Sequence, residues 1–574
     1  MNVLFERDVP CELRDGTLLR ADVYRPAEPG KYPVLLLRTP YSKGLWQFTH
    51  LTLDPVRAAE AGYAVVLQDV RGRWASGGDV FDPYLHEFDD GFDSVEWAAK
   101  LPYADGTVGA YGVSYMGGTT WQAAVAAPPS LRAISPTTAP NDQFIDLTWR
   151  GGAFLWGTMV MWYLQAVGPS ALLRTKLGAP DFIPSFIRLV DETDEFDTWV
   201  RHLPPITFPP ARPDDPFAPE FFESMRHPTR SEHHRARSVY DRHHEVKVPA
   251  LILAGWHDLL LGADLAHYRQ MKTTAGTAEA RRHTRLIVGP WSHGTFLNVV
   301  GDLDFGMRSS GVFLDLKEDV TALNLRWFGQ RLKGISTGID DEPPVKLFVQ
   351  GVNRWRYEED WPLARAVATP WYLGADGRLG PEPPRAEEPP DSYVYDPADP
   401  CPTRGGTLLL PRTYAPGPVD QGRILDRRDV LSYTSKPLAS DLEVTGHVKA
   451  VLYAATSATD TDWVVKLCDV HPDGRTLNVC DGILRARYRS SWDAPALVAP
   501  EAVLRYEIDL WATSQVFRAG HRLRVLVTSS DFPRYDRNPN TGALGVEATT
   551  TVPARQHVFH DGSRASHIVL PVIP

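Results

Sequence analysis

Over its first third the chain alternates short, unbroken apolar runs with stretches of helical period. Tyr32-Pro33-Val34-Leu35-Leu36-Leu37 and Ala64-Val65-Val66-Leu67-Gln68 read as buried strands, and Val108 to Val113 as a third. Pro55 to Gly62 has the pattern of a short helix ended by glycine. Asp89 to Ala99, with Phe92, Val95, Glu96 and Trp97, predicts an amphipathic helix, and Gly117 to Ala127 a helix of small residues. Strands that are apolar throughout and alternate with helices predict a mostly parallel sheet covered on both faces.

The pattern breaks after about Pro140. Phe144 to Leu177 is aromatic-rich without strand signals, and a mixed helical stretch and a proline cluster between Pro204 and Pro219 follow. This reads as a mostly helical insertion. The sheet pattern resumes at Val248 to Trp256 and Thr284 to Gly289, and a helix over Val320 to Lys333 closes this part. Asp340-Asp341-Glu342-Pro343-Pro344 reads as a boundary or exposed turn. From Val345 onward the texture changes to period-2 strands and Pro/Gly turns, as in Val345–Val349, Val448–Tyr453 and Leu523–Val527. That texture predicts an antiparallel β-sandwich or jelly roll, with Pro381 to Cys401 as a long loop within it. The expected division is an α/β part over 1–143 and 242–344, an inserted segment over 144–241, and a β part over 345–574.

Composition narrows the class. A chain of 574 residues is too long for one core of ordinary size. With 43% hydrophobic and 23% charged residues it is neither collagen, coiled coil, disordered chain nor disulfide scaffold. The balance of 60 Lys+Arg against 71 Asp+Glu, net −11, argues against a nucleic-acid partner. Cys11, Cys401, Cys468 and Cys480 show no C-x-x-C spacing, so buried free thiols are expected, with a Cys468–Cys480 pair if their strands are neighbours. Charges at Glu6, Arg7, Asp8, Glu12, Arg14 and Asp15 interrupt any signal-peptide core, and no apolar run approaches the ~20 residues of a membrane helix. A soluble, cytoplasmic protein without membrane association is the expectation.

The chemistry centres on Gly112-Val113-Ser114-Tyr115-Met116-Gly117, at the end of a predicted strand and the start of a predicted helix. A nucleophile elbow needs a serine on a sharp strand-to-helix turn with small residues around it. Met116 breaks the short G-x-S-x-G form, and the glycine falls one position later. In α/β hydrolases an acid and then a histidine follow the serine in sequence. Asp258 and His293 each lie just past a predicted parallel strand, on the sheet edge from which Ser114 would project. A serine needs an imidazole to take its proton, and the imidazole needs a carboxylate to fix its tautomer. The oxyanion needs donors, for which the Tyr115 amide and the Tyr41 hydroxyl, in the turn after the first strand, are the candidates.

These residues resemble the cocaine esterase-like hydrolases, relatives of the X-prolyl dipeptidyl aminopeptidases and α-amino acid ester hydrolases. The likeness runs through Arg38-Thr39-Pro40-Tyr41, Gln68-Asp69-Val70-Arg71-Gly72-Arg73-Trp74-Ala75-Ser76-Gly77-Gly78, the Ser114 elbow, Gly255-Trp256-His257-Asp258, Gly289-Pro290-Trp291-Ser292-His293, Gly520-His521-Arg522-Leu523-Arg524 and Ser529–Asn538. The resemblance implies an α/β-hydrolase domain, a helical cap inserted after the sixth strand and a C-terminal jelly roll. It implies Ser114, Asp258 and His293 as triad, Tyr41 and the Tyr115 amide as oxyanion hole, and Trp149 and Trp162 as cap tryptophans against the substrate. The position where the family has an aromatic beside the aspartate falls on Leu260, which weakens the case for an aromatic acyl group.

Other groups read more plainly. His257 beside Asp258 is a rival base, but neighbours at a strand end point apart. His233-His234 and His243-His244 lack the spacing of a metal set, so no metal and no cofactor are expected. The acidic run Asp191 to Asp197 reads as a solvated helix face, or else as a carboxylate site for a free amine. Asp69 and Arg71 read as a structural pair. The expected function is a serine hydrolase cleaving small-molecule carboxylic esters of small apolar or aromatic acids. An amide-active relative is the alternative, and a catalytically silent binding protein a third. A homodimer is left open.

Overall fold

The computed structural model describes residues 2–211, 218–384 and 388–574. Part of the proline cluster between Pro204 and Pro219, and part of the expected loop from Pro381 to Cys401, lie outside the described residues. A ten-stranded sheet organises the first part of the chain. Its early strands are β1 (Val3–Glu12), β2 (Leu18–Pro26), β3 (Tyr32–Thr39), β4 (Ala64–Asp69), β5 (Ala104–Val113) and β6 (Leu131–Thr137). The order across the sheet is β1-β2-β4-β3-β5-β6, then Leu251–His257, Arg285–Ser292, Val345–Val349 and Arg354–Glu358. From β4 to Val345–Val349 all neighbours run parallel, while β1, β2 and Arg354–Glu358 add antiparallel margins. The central strands are buried along nearly their whole length, which is why they read as continuous apolar runs.

Four helices follow the early strands: α1 (Trp46–Thr49), α2 (Pro55–Glu60), α3 (Glu87–Ala99) and α4 (Tyr115–Ala126). Asp54 caps α2 by accepting from the amides of Val56 and Arg57, with Pro55 at the first helical position. Helix α4 is buried nearly all round, and a β-carbon at Gly91 of α3 would stand 2.9 Å from Cβ of Ala123 of α4. A glycine and an alanine at this contact thus let α3 and α4 pack closely.

Two expectations about layout change. Val345–Val349, expected to open the β part, pairs in parallel with Arg285–Ser292 and antiparallel with Arg354–Glu358. The α/β sheet therefore continues past the 344/345 boundary. Between β6 and Leu251–His257 the chain is mainly helical, as in Trp156–Trp162, Gly168–Lys176 and Phe182–Asp194. It also contains a small hairpin, Trp149–Arg150 paired with Ala153–Phe154, in a segment expected to lack strands. Gly151 and Gly152 turn this hairpin with φ of 57° and 81°, and a β-carbon at Gly151 would stand 1.9 Å from the carbonyl oxygen of Ile483.

The C-terminal part is a twelve-stranded, mostly antiparallel β assembly, the jelly-roll half of an α/β-hydrolase-plus-β architecture. The expected loop Pro381 to Cys401 contains an ordered strand, Asp391–Tyr395, paired with Ala554–Asp561. Cys468 and Cys480 lie on neighbouring strands but are offset in register, Cys480 facing Leu467 and Cys468 facing Asn478. All four cysteines are free and buried. The hairpin joins the two halves: Arg150 lies over the Trp511 ring at 3.5 Å and donates to the Asp481 carbonyl at 2.7 Å. The Phe154 amide donates to Asp536 Oδ1 at 2.8 Å. No helix among the described residues is long and apolar enough to cross a membrane.

Candidate active site

Strand β5 ends at Val113 and α4 begins at Tyr115, so Ser114 alone turns the chain. It does so with φ 59° and ψ −122°. A non-glycine residue held there stores ~1–3 kcal/mol of strain and persists only where its surroundings over-determine it. The Ser114 amide donates to the Thr137 carbonyl at 2.9 Å, tying the turn to β6. A β-carbon at Gly112 would stand 2.5 Å from Cβ of Met116, and one at Gly117 2.8 Å from Cβ of Ala139 and 3.0 Å from the Thr137 oxygen. The close approach after the serine falls on Gly117. Position 116 therefore tolerates a methionine, whose side chain helps line the cavity.

Three separate strand ends deliver the polar groups. Ser114 Oγ lies 2.9 Å from Nε2 of His293, and Nδ1 of His293 lies 2.9 and 3.1 Å from the two carboxylate oxygens of Asp258. Nδ1–H donates to Asp258, which leaves Nε2 to accept the serine proton. Asp258 is fully buried and also accepts from the Leu260 amide at 2.7 Å. Its neighbour Asp264 is pushed well above the usual carboxylate range by burial, with the Asp258 charge adding to the push. His257, the rival base, faces away: its Nε2 meets Oε1 of Gln350 at 2.7 Å.

The other side of Ser114 carries the candidate oxyanion donors. Tyr115 is the first residue of α4, where the helix leaves its first amides without intrahelical partners. The positive end of the α4 dipole points the same way. Its own side chain is held below the elbow: the hydroxyl donates to Oε1 of Glu87 at 3.0 Å and accepts from the Tyr84 amide at 3.0 Å. Tyr41 is buried, and its hydroxyl accepts from Nε1 of Trp162 at 3.1 Å. The loop that carries it is fastened by Asp69, which accepts from the amides of Lys43 at 2.7 Å and Ala75 at 3.2 Å. Arg71 does not pair with Asp69 as expected; it binds Asp90 and Asp15 instead.

A cavity of about 680 Å³ opens on Ser114 and His293. Its wall is mainly apolar and includes Phe81, Met159, Met161, Trp162, Phe221 and Leu260. Trp162 and Leu260 thus form part of this wall. Trp149 does not: it is 1% exposed, outside the cavity wall, and its indole donates to the Ser224 carbonyl at 3.2 Å. Its place in the hairpin that docks on the β half turns its ring into the core. Sequence reasoning missed Leu409 to Arg412, which reach the cavity from the β half, and Glu220, the acidic residue in its wall. It also gave no role to Arg73, although Gly72-Arg73-Trp74 was a visible motif. The Asp191–Asp197 run is exposed at Asp191, Asp194, Glu195 and Asp197, while Glu192 is buried beside Arg188. His243 bonds His267 at 2.8 Å, and His234 is packed against Phe144.

Residues 15–295 match the X-Pro dipeptidyl-peptidase (S15) family and 337–569 match the X-Pro dipeptidyl-peptidase C-terminal non-catalytic domain. The cocaine esterase of Rhodococcus sp. (strain MB1 Bresler) is 36% identical over 99% of this chain and 98% of its own length. The chain belongs to the cocaine esterase-like serine hydrolase family. Among solved structures, an α-amino acid ester hydrolase superposes with a TM-score of 0.81 at 26% identity, covering 99% of this chain and 96% of its own. An aminopeptidase from a Thaumarchaeota archaeon of marine sediment superposes with 0.79 at 25% identity, covering 100% and 97%. The protein is a serine hydrolase of this family, with the α/β-hydrolase and β halves the family carries.

Proposed function

We propose that this serine hydrolase cleaves carboxylic esters of small apolar or aromatic acids through an acyl-enzyme on Ser114. The observation that carries the reading is the hydrogen-bonded chain Ser114–His293–Asp258 opening on an apolar cavity. Nε2 of His293 takes the Ser114 proton as Oγ attacks the ester carbon. The oxyanion of the tetrahedral intermediate rests on the Tyr41 hydroxyl and the Tyr115 amide. The imidazolium, steadied by Asp258, gives its proton to the leaving alkoxide, and alcohol departs. Water then attacks the acyl carbon with His293 again as base, and Ser114 is released with the free acid. A fluorophosphonate should label Ser114, and Ser114→Ala should abolish labelling and lower kcat by ~10⁴-fold or more. Unchanged turnover in that variant would overturn the assignment.

One observation favours a second reading, hydrolysis of amino esters or amides. Glu220 places a carboxylate in the cavity wall, loosely matched by His233 at 3.5 Å and Arg237 at 3.6 Å. A substrate ammonium would find an anionic partner there. Matched p-nitrophenyl esters with and without an α-amino group separate the readings: preference for the amine, lost in Glu220→Gln, supports the second.

A further inference from the structure

The hydroxyl of Tyr41 accepts a hydrogen bond from the indole of Trp162. An indole N–H only donates, so it occupies a lone pair of the phenol oxygen and cannot receive the phenol's proton. A phenolic O–H prefers the plane of its ring, which offers two orientations, and an N–H facing one of them leaves the proton the other. Burial pushes the Tyr41 pKa up, while the Trp162 indole, the Arg73 charge and the Ser114 hydroxyl all act on the phenol in the opposite direction. Tyr41 and Ser114 line the same cavity, and the Ser114 hydroxyl is among the groups that act on the phenol.

The two partners are fixed relative to each other by one side chain. Arg73 is buried; its Nε donates to the carbonyl of Pro40 at 2.9 Å, Nη2 to Ala166 at 3.0 Å and Nη1 to Val167 at 3.3 Å. Pro40 immediately precedes Tyr41. Ala166 and Val167 belong to the π-helical turn Tyr163–Val167 that continues the helix ending at Trp162. A planar guanidinium with a rigid fork of donors therefore ties the main chain on each side of the Trp162–Tyr41 contact.

We propose that Trp162 is a positioning residue for oxyanion stabilisation: its indole N–H turns the Tyr41 hydroxyl proton toward the oxygen that becomes negative when Ser114 attacks. This rests on the reading of Tyr41 as an oxyanion donor. It is separate from the apolar wall that the Trp162 ring supplies to the cavity. Donation into the phenol oxygen also polarises its O–H, so the same contact makes Tyr41 a stronger donor.

A double-mutant cycle on one p-nitrophenyl ester tests the proposal. Trp162→Phe keeps an aromatic wall and deletes the N–H; Tyr41→Phe deletes the hydroxyl. Tyr41→Phe should lower kcat by ~10²–10³-fold, as loss of an oxyanion donor does. Trp162→Phe should lower kcat by about tenfold with KM nearly unchanged, and by less than about twofold when added to Tyr41→Phe, because coupled residues are non-additive. β-(3-Benzothienyl)alanine at position 162, which keeps the shape of tryptophan without the N–H, should reproduce the Phe result even if Trp162→Phe folds poorly. Equal effects of losing the N–H in both backgrounds, or a rise in KM alone, would overturn the positioning role and leave Tyr41 as donor. A Tyr41→Phe enzyme with normal kcat, beside an inactive Ser114→Ala enzyme, would instead remove the donor reading on which the proposal stands.

Discussion

Gly112 and Met116 approach so closely that a β-carbon on the glycine would stand 2.5 Å from Cβ of the methionine. The contact lies across the turn that holds Ser114 at positive φ, so the strain of the elbow is confined by packing on both sides. Gly112→Ala should push α4 away from β5 and displace Ser114 from His293. The expected outcome is loss of most esterase activity, with destabilisation of ~1–3 kcal/mol as in other overpacked cores. Gly380→Ala is the control, since a β-carbon there meets nothing within 4 Å. Comparing kcat and the urea midpoint of the two variants checks this; a fully active Gly112→Ala enzyme would show that the elbow is looser than its contacts.

Trp149 and Leu260 should respond in opposite ways. Trp149 is buried away from the cavity, with its indole bonded to Ser224. Trp149→Phe removes a buried hydrogen bond and part of a packed ring, so stability should fall by ~1–3 kcal/mol while the order of preferred acyl chains stays the same. Leu260 lines the cavity and donates its amide to Asp258, so Leu260→Ala should shift the preferred acyl chain toward longer or bulkier acids. Each methylene newly accommodated is worth ~1–3 kcal/mol in kcat/KM. A panel of p-nitrophenyl esters and a thermal melt on each variant separate the two roles.

The contrast between these residues shows where the sequence is legible. Strands such as β3 and β4 are buried on both faces and so announce themselves as apolar runs. β1 carries Glu6, Arg7 and Asp8 on a sheet margin, where one edge is open to water, and its charges hide it. Val345–Val349 has the same apolar signature whether it continues one sheet or begins another; only its parallel pairing with Arg285–Ser292 decides. Ser114, Asp258 and His293 stand out in the sequence because each follows an apolar run that reads as a parallel strand, and the structure brings the three within hydrogen-bond reach. Trp149 was misplaced because the direction of a side chain on a two-residue strand depends on what the hairpin docks against, here Asp481, Trp511 and Asp536 far along the chain. Leu409 to Arg412 reach the cavity through the packing of the two halves, which no local pattern encodes.

Arg73 should not tolerate lysine. Its three carbonyl partners, on Pro40, Ala166 and Val167, need a planar fork, and a lysine offers one compact ammonium. Burial already lowers the Arg73 pKa to about 10, so a lysine in the same place would be easier still to neutralise. Arg73→Lys is expected to lose about 2 kcal/mol of stability, as unsatisfied buried carbonyls do, and to lower kcat through the loosened Tyr41 loop. Chemical denaturation and kcat on one ester measure both; unchanged values would assign Arg73 to packing alone.

Acid stability should carry two opposing contributions that substitution can separate. Burial lowers the His257 pKa to about 4, against a hydrogen bond to Gln350 that raises it. Its ordinary value is ~6.5, so the unfolded chain binds more protons between these limits. His257 therefore contributes stability that is full above pH ~6.5 and is lost as pH falls through about 4, up to ~3 kcal/mol. Asp69 has the reverse sign. Burial raises its pKa to about 6, against the amides of Lys43 and Ala75, so the folded state holds the extra proton. Its contribution grows as pH falls from about 6 toward the ordinary carboxylate range and is absent above about 6, where the charged form is buried at a cost. Urea unfolding at several pH values between 4 and 7 should thus show a flatter acid loss in His257→Gln and a steeper one in Asp69→Asn. The slopes, not the absolute stabilities, carry the test, because each substitution also changes packing by an amount that does not vary with pH. Parallel slopes in all three proteins would mean that neither group titrates differently on folding. The Tyr41 loop would then owe its fastening at Asp69 to the hydrogen bonds alone.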